Sequence, residues 1–447
     1  MFSRIFGSSP LATKPGLYTF RGKGDYKGLS VQLRVEPDGK GVLAVNANAV
    51  LYMNETATFH AYLFVKGLTV ENAVKDITRV YKVSKKEAKK EHERFLYTIN
   101  TLAKTGKVCP ISYLGVGRLE PFSAPSTAPV RMDLALTFRC QNDCMHCYAG
   151  GPKEGVELST SDWMQVINKV KDAAIFIVTF TGGEPTLRDD LPQLLQYAQN
   201  SGLVSGLITN GRRLSDKSYV KSLADAGLDF VQITVESHIP EVHDKMTCSP
   251  GSWNETVEGL RNALESKIYV STNTTLTRLN VDGALETMEF LKNLGVKSFC
   301  CNSLIYSGRG ESSSKELALP IERLKEVLSK LEARAYELGL TFSWFTPTRY
   351  CELNPVNMGL GVKSCSAALM NMCVGPNGDV YPCQSYFKSL GNILSDRWAD
   401  IWNNPLSVEL RARKYAPSKC VDCEDFKTCG SGCPLEYGAG HYVCGQS

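Results

Sequence analysis

Apolar and polar residues alternate from Ser30 to Leu43 (Val31, Leu33, Val35), broken at Pro37-Asp-Gly-Lys-Gly41, the pattern of two strands joined by a turn. Val45 to Tyr52 continues as a strand. Asn54-Glu-Thr56 places an N-cap before a helix through Val65, and a second helix runs from about Thr69 to Tyr81. Ser84, with Glu87 three residues on, caps a third helix through Leu102. Three short strands and three helices predict a winged-helix-like α+β module over residues 30–105, behind a Gly- and Ser-rich lead-in at 1–29. Residues 106–129, with Pro121, Pro125 and Pro129 toward the end, read as a linker.

From residue 130 strand-like and helix-like segments alternate, which predicts a parallel α/β sheet. Strands fall near 132–138, 175–181, 204–209, 229–235, 268–276 and 296–304. Helices fall near 159–172, 190–201, 215–226, 253–266, 283–293 and 320–338, giving six βα units over 130–340. Residues 341–447 form a third, cysteine-rich domain.

Composition narrows this picture. The chain has 447 residues and a net charge of +4 without a long basic block, so nothing calls for nucleic acid. The first residues are too short an apolar run for a signal peptide, and no run approaches the roughly 20 apolar residues of a membrane span. Sixteen cysteines in such a chain point to metal sites in a reducing cytoplasm rather than to disulfides.

The candidate chemistry starts at Cys140, Cys144 and Cys147, spaced C-x3-C-x2-C directly after the first strand of the α/β region. Chance would supply about 0.02 such triplets in a chain of this composition. Three thiols in one short loop can hold three irons of a cubane cluster and leave the fourth without a protein ligand. A zinc knuckle is the rival, but a fourth ligand at short spacing is missing, and His146 between two thiols is badly placed for it.

This triplet resembles the signature of the radical S-adenosylmethionine (SAM) superfamily. The resemblance implies that SAM chelates the open iron and that one electron cleaves it to methionine and a 5′-deoxyadenosyl radical. It also implies a partial (β/α)6 barrel, open on one side, with Tyr148 near the adenine. Thr181-Gly-Gly-Glu-Pro-Thr186 resembles the family's Gly-Gly-Glu motif: Gly182 and Gly183 would let carbonyls approach the SAM ammonium, and Glu184 would accept from it. Thr234 and Glu236 match the positions that meet the SAM ribose or carboxylate, and Asn273 is a further SAM contact. His243 is expected to order its loop, and Arg309, in Tyr306-Ser-Gly-Arg-Gly310, reads as an ordinary surface arginine. Cys300 and Cys301 read as buried core thiols.

The last domain carries Cys365-x12-Gly378-x4-Cys383 and Cys420-x2-Cys423-x5-Cys429-x3-Cys433-x10-Cys444. This resembles the SPASM extension of peptide-modifying radical SAM enzymes, with zinc ribbons as the rival metal reading. The resemblance assigns Cys365, Cys383 and Cys433 to an inner auxiliary cluster, and Cys420, Cys423, Cys429 and Cys444 to an outer one. For the fourth inner ligand Cys351 is favoured over Cys373, with substrate or water also open. Cys109 and Cys248 have no evident role.

Residues 30–105 resemble the precursor-peptide recognition element of maturases, in Val50-Leu-Tyr-Met-Asn-Glu-Thr-Ala57, Leu68-Thr-Val-Glu-Asn-Ala73 and Tyr81-Lys-Val-Ser-Lys-Lys-Glu-Ala88. There a leader peptide adds a strand to the sheet edge and packs on the third helix. Lys82, Lys85, Lys86, Lys89 and Lys90 could attract an acidic leader or simply form a solvated face. Together the resemblances imply a cytoplasmic radical SAM maturase of ribosomally made peptides, forming a thioether or carbon–carbon cross-link or excising a fragment. It would hold three 4Fe–4S clusters and SAM, and draw electrons from a donor such as flavodoxin or ferredoxin. The rival readings are a maturase oxidising a Cys or Ser of a folded enzyme, and a non-catalytic iron–sulfur scaffold.

Overall fold

The computed structural model describes residues 13–22, 29–46, 49–104, 126–151 and 155–438. It divides into two compact units: Met1–Ala128 with Val170–Phe176, and Pro129–Lys169 with Ile177–Ser447. Among the described residues no helix is long and apolar enough to cross a membrane.

The first unit is built on an antiparallel sheet of β1 (Gly16–Arg21), β2 (Ser30–Val35), β3 (Gly41–Val45) and β4 (Ala49–Met53), in that spatial order. Helices α1 (Glu55–Val65), α2 (Val70–Val80) and α3 (Lys85–Lys104) follow. The caps are those the sequence predicts. Asn54 Oδ1 accepts from Ala57 N at 2.9 Å, and Ser84 and Glu87 bond reciprocally at 3.0 and 3.2 Å.

Two readings of this unit need correction. The lead-in is not loose throughout, because Gly16–Arg21 pairs along its whole length with β2. That strand is held by aromatic packing across the sheet face, with Tyr18 on Tyr62 at 5.0 Å and Phe20 on Phe64 at 4.9 Å between ring centroids. Val45 to Tyr52 is not one strand either. Asn46, at φ +51°, turns the chain back so that β4 pairs antiparallel with β3.

The alternation in β2 is real, yet its polar side is buried as well. Arg34 pairs with Glu36 at 2.7 Å, Arg34 Nη2 donates to Ser126 Oγ at 2.8 Å, and Glu36 accepts from Thr127 Oγ1 at 2.7 Å. A buried ion pair survives only with such extra hydrogen bonds. The end of the linker is thereby fixed to this sheet.

The second unit is organised by a sheet of nine strands. Six run parallel in chain order: β5 (Arg131–Thr137), β6 (Ile177–Gly182), β7 (Val204–Thr209), β8 (Phe230–Thr234), β9 (Tyr269–Leu276) and β10 (Ser298–Ser303). The helices between them are α4 (Thr160–Asp172), α5 (Leu191–Asn200), α6 (Lys217–Asp225), α7 (Pro240–Thr247), α8 (Ser252–Leu264) and α9 (Ala284–Leu294). Two short turns at Gly308–Ser312 and Ser314–Leu317 precede α10 (Ile321–Leu338). This is the expected (β/α)6 succession of a partial barrel. The segment after residue 340 adds to it at both edges. Strand β11 (Thr341–Trp344) pairs parallel with β10, and β12 (Asn371–Val374) pairs parallel with β5 and antiparallel with β13 (Val380–Tyr381). The cysteine-rich domain is thus rooted in the barrel sheet beside the strand that leads to the first three thiols.

Candidate active site at the carboxyl ends of the strands

Strand β5 runs directly into the thiol loop, and neighbouring elements fix that loop on several sides. Gly183 N donates to Thr137 O at 2.7 Å and Glu184 N to Arg139 O at 2.8 Å. A Cβ on Gly182 (φ +137°) would stand 2.1 Å from Thr137 O, and one on Gly183 2.3 Å from Arg139 O. The two glycines are therefore required by the approach of one strand end to the next. From α7, Thr247 O and Met246 O accept from Asp143 N and Met145 N, each at 3.0 Å. From the turn after β7, Arg212 Nη1 donates to Gln141 O at 3.2 Å and Asn142 Oδ1 at 2.7 Å.

Glu184 sits elsewhere than the sequence suggests. It is fully buried, and its carboxylate accepts from Thr186 N, Thr186 Oγ1, Thr209 Oγ1 and Asn210 N at 2.6–3.1 Å. Burial pushes its carboxyl above the usual range in spite of these donors. It ties the ends of β6 and β7 together and is not part of the cavity wall.

A cavity of about 620 Å³ opens over the loop. Its wall contains Cys140, Cys144 and Cys147, the predicted Tyr148, Gly182, Gly183, Thr234, Glu236 and Asn273, and also Cys365, Cys383 and Cys433. One cavity therefore joins the first thiol set to the inner set of the last domain.

The thiols fit an iron cluster by their chemistry. Asn142 N and Gly151 N each donate to a thiol sulfur, of Cys140 and Cys147, at 3.4 Å. Burial pushes the Cys140 thiol up to about 11. Cys144 is pushed well up by burial, then by Glu236 and the other two thiols. Three thiols gathered in one loop, two of them raised in part by their neighbours' charges, call for a shared cation, which iron supplies. Among the described residues no group of three or more His, Cys, Asp or Glu side chains closes around a single-ion position. The thiols line the cavity together instead.

Glu236 Oε2 accepts from Thr275 N at 2.8 Å, and its Oε1 lies 2.9 Å from Nε2 of His146. His243 orders this region as expected, accepting from Glu236 N at 3.1 Å. Asn302 Nδ2 donates to the carbonyl of Ser303 at 2.7 Å, which leaves its Oδ1 to accept from Asn273 Nδ2 at 2.7 Å. Asn273 Oδ1 is then an unpartnered acceptor in the cavity wall. Tyr148 bonds Thr181 through its hydroxyl. Burial first, then the charges of Cys373, Cys147 and Asp133, push its phenol well up. Its hydroxyl is thus engaged by the end of β6.

In the last domain, burial and the neighbouring Cys365 push the Cys383 thiol up to about 12, and Cys433 feels both. The preference for Cys351 as their fourth partner is not supported. Cys351 is exposed and follows Tyr350, whose N–H donates to Cys429 of the outer set at 3.3 Å. Cys373 is buried and feels the charges of Asp133 and Cys383, although, like Cys351, it does not line the cavity. In the outer set, Cys429 feels Cys420, while Cys423 is exposed. Cys444 and Cys109 lie outside the described residues. Cys248 is exposed at the end of α7, and Cys300 and Cys301 are buried as expected.

Sequence reasoning missed His146, Arg212 and Arg309. The only signal for His146 was its place between two thiols. The arginines act across 70 and 166 positions, beyond any local pattern.

Residues 134–291 match the radical SAM superfamily, and residues 365–424 match the SPASM iron–sulfur cluster-binding domain. The chain is a radical SAM enzyme with a SPASM domain. Those domains imply SAM, a 4Fe–4S cluster and auxiliary clusters, and Cys140, Cys144 and Cys147 fall within the first matched range. The chain is 28% identical to Fe-coproporphyrin III synthase of Methanosarcina barkeri, over 66% of this chain and 80% of that protein. It is 29% identical to mycofactocin maturase MftC of Mycolicibacterium smegmatis, over 70% and 80%. It shares the fold of Streptococcus suis SuiB, solved bound to precursor peptide SuiA, with a TM-score of 0.66 and 17% identity over 91% of this chain and 94% of that one.

Anaerobic reconstitution is expected to load about twelve irons per chain, three 4Fe–4S clusters. Iron analysis that levels off near four would remove the auxiliary clusters from this account.

Proposed function

We propose that this enzyme matures a ribosomally made precursor peptide, holding the leader on its first unit and modifying a core residue in the cavity of the second. The observation that carries the reading is the extent of the SuiB likeness. A match over 91% of the chain cannot be reached without the first unit, which runs to Ala128, whereas the curated relatives above match over 66% and 70%. The edges of the four-stranded sheet at β1 and β4 have no further strand beside them among the described residues, and an extended leader adds to such an edge.

Bound SAM and the reduced cluster would supply a 5′-deoxyadenosyl radical that takes a hydrogen from the core residue. The protein's part is to position and to exclude water. Thr179, Gln232, Ser271, Asn302 and Thr346 give the cavity a polar side suited to peptide amides, and Asn273 presents an acceptor whose orientation is already set. The inner auxiliary set, on the same cavity, is placed to take an electron from the product or to ligate a substrate thiolate. A cross-link or a fragment excision is the outcome, with electrons from flavodoxin or ferredoxin in a reducing cytoplasm.

The likeness to Fe-coproporphyrin III synthase favours a second reading, a porphyrin substrate. The two separate in one experiment. The reconstituted enzyme is given SAM, reductant and the short peptide encoded beside its gene, and the peptide is weighed by mass spectrometry. A mass change matched by 5′-deoxyadenosine release is expected. An unchanged peptide, with Fe-coproporphyrin III formed from an iron–porphyrin precursor under the same conditions, would replace the reading with the second.

A further inference from the structure

The turn after β10 was read as ordinary surface, but in the structure it is fitted to the thiol loop. Arg309 N donates to Cys147 O at 2.9 Å. Its guanidinium donates through Nη1 to Asp143 O at 2.8 Å and pairs through Nη2 with Asp143 Oδ1. These contacts fall on both sides of Cys144 and on Cys147 itself, so one residue spans the C-x2-C half of the loop. The flanking glycines serve the same fit. A Cβ on Gly308 (φ +57°) would stand 2.4 Å from Gly150 N and 2.5 Å from Tyr148 O, and one on Gly310 would stand 2.3 Å from Ile305 O.

The topology makes this joint consequential. Strands β5 and β10 are separated in the sheet by β6 to β9. The loop that follows the sixth parallel strand thus bonds directly to the loop that follows the first, and closes the open sheet at the end where the thiols lie. An ion pair this exposed contributes little to global stability. Its value lies in geometry, as with the outer partners that orient metal ligands. A Cβ on Gly151, whose N–H donates to Cys147 Sγ at 3.4 Å, would stand 2.0 Å from Arg309 Nη2, so the guanidinium lies beside that thiol and feels, after Asp143, the charges of Cys147 and Cys144.

We propose that Arg309, with Asp143, is the positioning residue of the SAM-binding cluster. It would hold the C-x2-C half in its ligating shape and place a cation beside two of the three sulfurs. The proposal holds whatever the substrate. It predicts two measurable effects that a generally loosened loop would not produce together: faster loss of the cluster, and a shift of its potential whose sign follows charge.

The test uses the reconstituted full chain and its Arg309→Met, Arg309→Lys and Asp143→Asn variants. Iron release to a chelator is followed through the electron paramagnetic signal that changes when SAM is added, and the potential of that signal is titrated. Arg309→Met is expected to release this cluster about 10- to 100-fold faster, the range seen when outer partners of metal ligands are removed. Its potential should become more negative, since a cation beside the reduced cluster is gone. Arg309→Lys should keep the parental potential with an intermediate release rate. Asp143→Asn should release iron as fast as Arg309→Met while its potential moves the opposite way. Auxiliary irons retained at the parental level show that a variant is folded. Should Arg309→Met lose them too, the Lys and Asn variants carry the same two comparisons. Parental release and potential in Arg309→Met would overturn the proposal, as would potentials moving in the same direction in Arg309→Met and Asp143→Asn.

Discussion

Cys144→Ala is expected to yield a folded protein that releases no 5′-deoxyadenosine above the level seen without enzyme. Folding should survive because the sheet core, with Met132, Leu134, Phe180 and Val231 essentially out of solvent, lies in the strands and not in the loop after β5. The loop itself is held by backbone bonds to Thr247 and Met246 and by Arg212, none of which involves the Cys144 sulfur. Removing a whole cavity-lining thiol cuts the protein ligands of the SAM-binding cluster from three to two. Loss of a mere outer partner typically costs about 10–100-fold in metal affinity, so loss of a ligand should exceed that. Deoxyadenosine formed at the parental rate would disprove the site. Far-ultraviolet circular dichroism and retention of the auxiliary irons distinguish a dead site from an unfolded one.

The parts of the fold that could be read from sequence are those coded by local spacing. The six strands of the barrel, the caps at Asn54 and Ser84 and the thiol triplet all depend on residues within a few positions of one another. Readings failed where a distant segment decides the outcome. The alternation of β2 marks a strand but does not show what covers its polar side, which residues 126 and 127 bond at Arg34 and Glu36 from about ninety positions away. Gly16–Arg21 becomes a strand because Tyr62 and Phe64 of α1 receive Tyr18 and Phe20. Gly182 and Gly183 carry a requirement that local sequence does not reveal, since only the folded sheet brings Thr137 O within 2.1 Å of a Cβ at Gly182. For Glu184 the residue type suggested a ligand contact, and four protein donors absorb it instead. Cys351 was preferred because Cys373 sits in a strand before the Pro376-Asn-Gly378 turn, and that local pattern does not show β12 pairing in parallel with β5 and carrying Cys373 into the barrel sheet.

Removing the first unit should leave SAM chemistry running and leave the peptide largely untouched. The second unit, from Pro129, contains its own nine-stranded sheet, the cavity and the described members of all three thiol sets, so a chain starting there is expected to bind its clusters and cleave SAM without substrate within about twofold of the parent. Binding of a leader as an added strand rests on main-chain hydrogen bonds and a few apolar pockets, all of which go with that unit. Tethering through a second site raises effective affinity by about 10²–10⁴-fold, so kcat/KM for the full precursor should fall by about a hundredfold or more. Core peptide supplied at millimolar concentration should recover part of the rate, because the reacting groups are intact. Since Val170–Phe176 is grouped with the first unit, the truncated chain is paired with a test on the whole protein. Excess free leader peptide should suppress modification of the precursor while substrate-free release of 5′-deoxyadenosine continues. Equal modification by the truncated and full chains, or no competition by free leader, would show that the module does not capture the peptide.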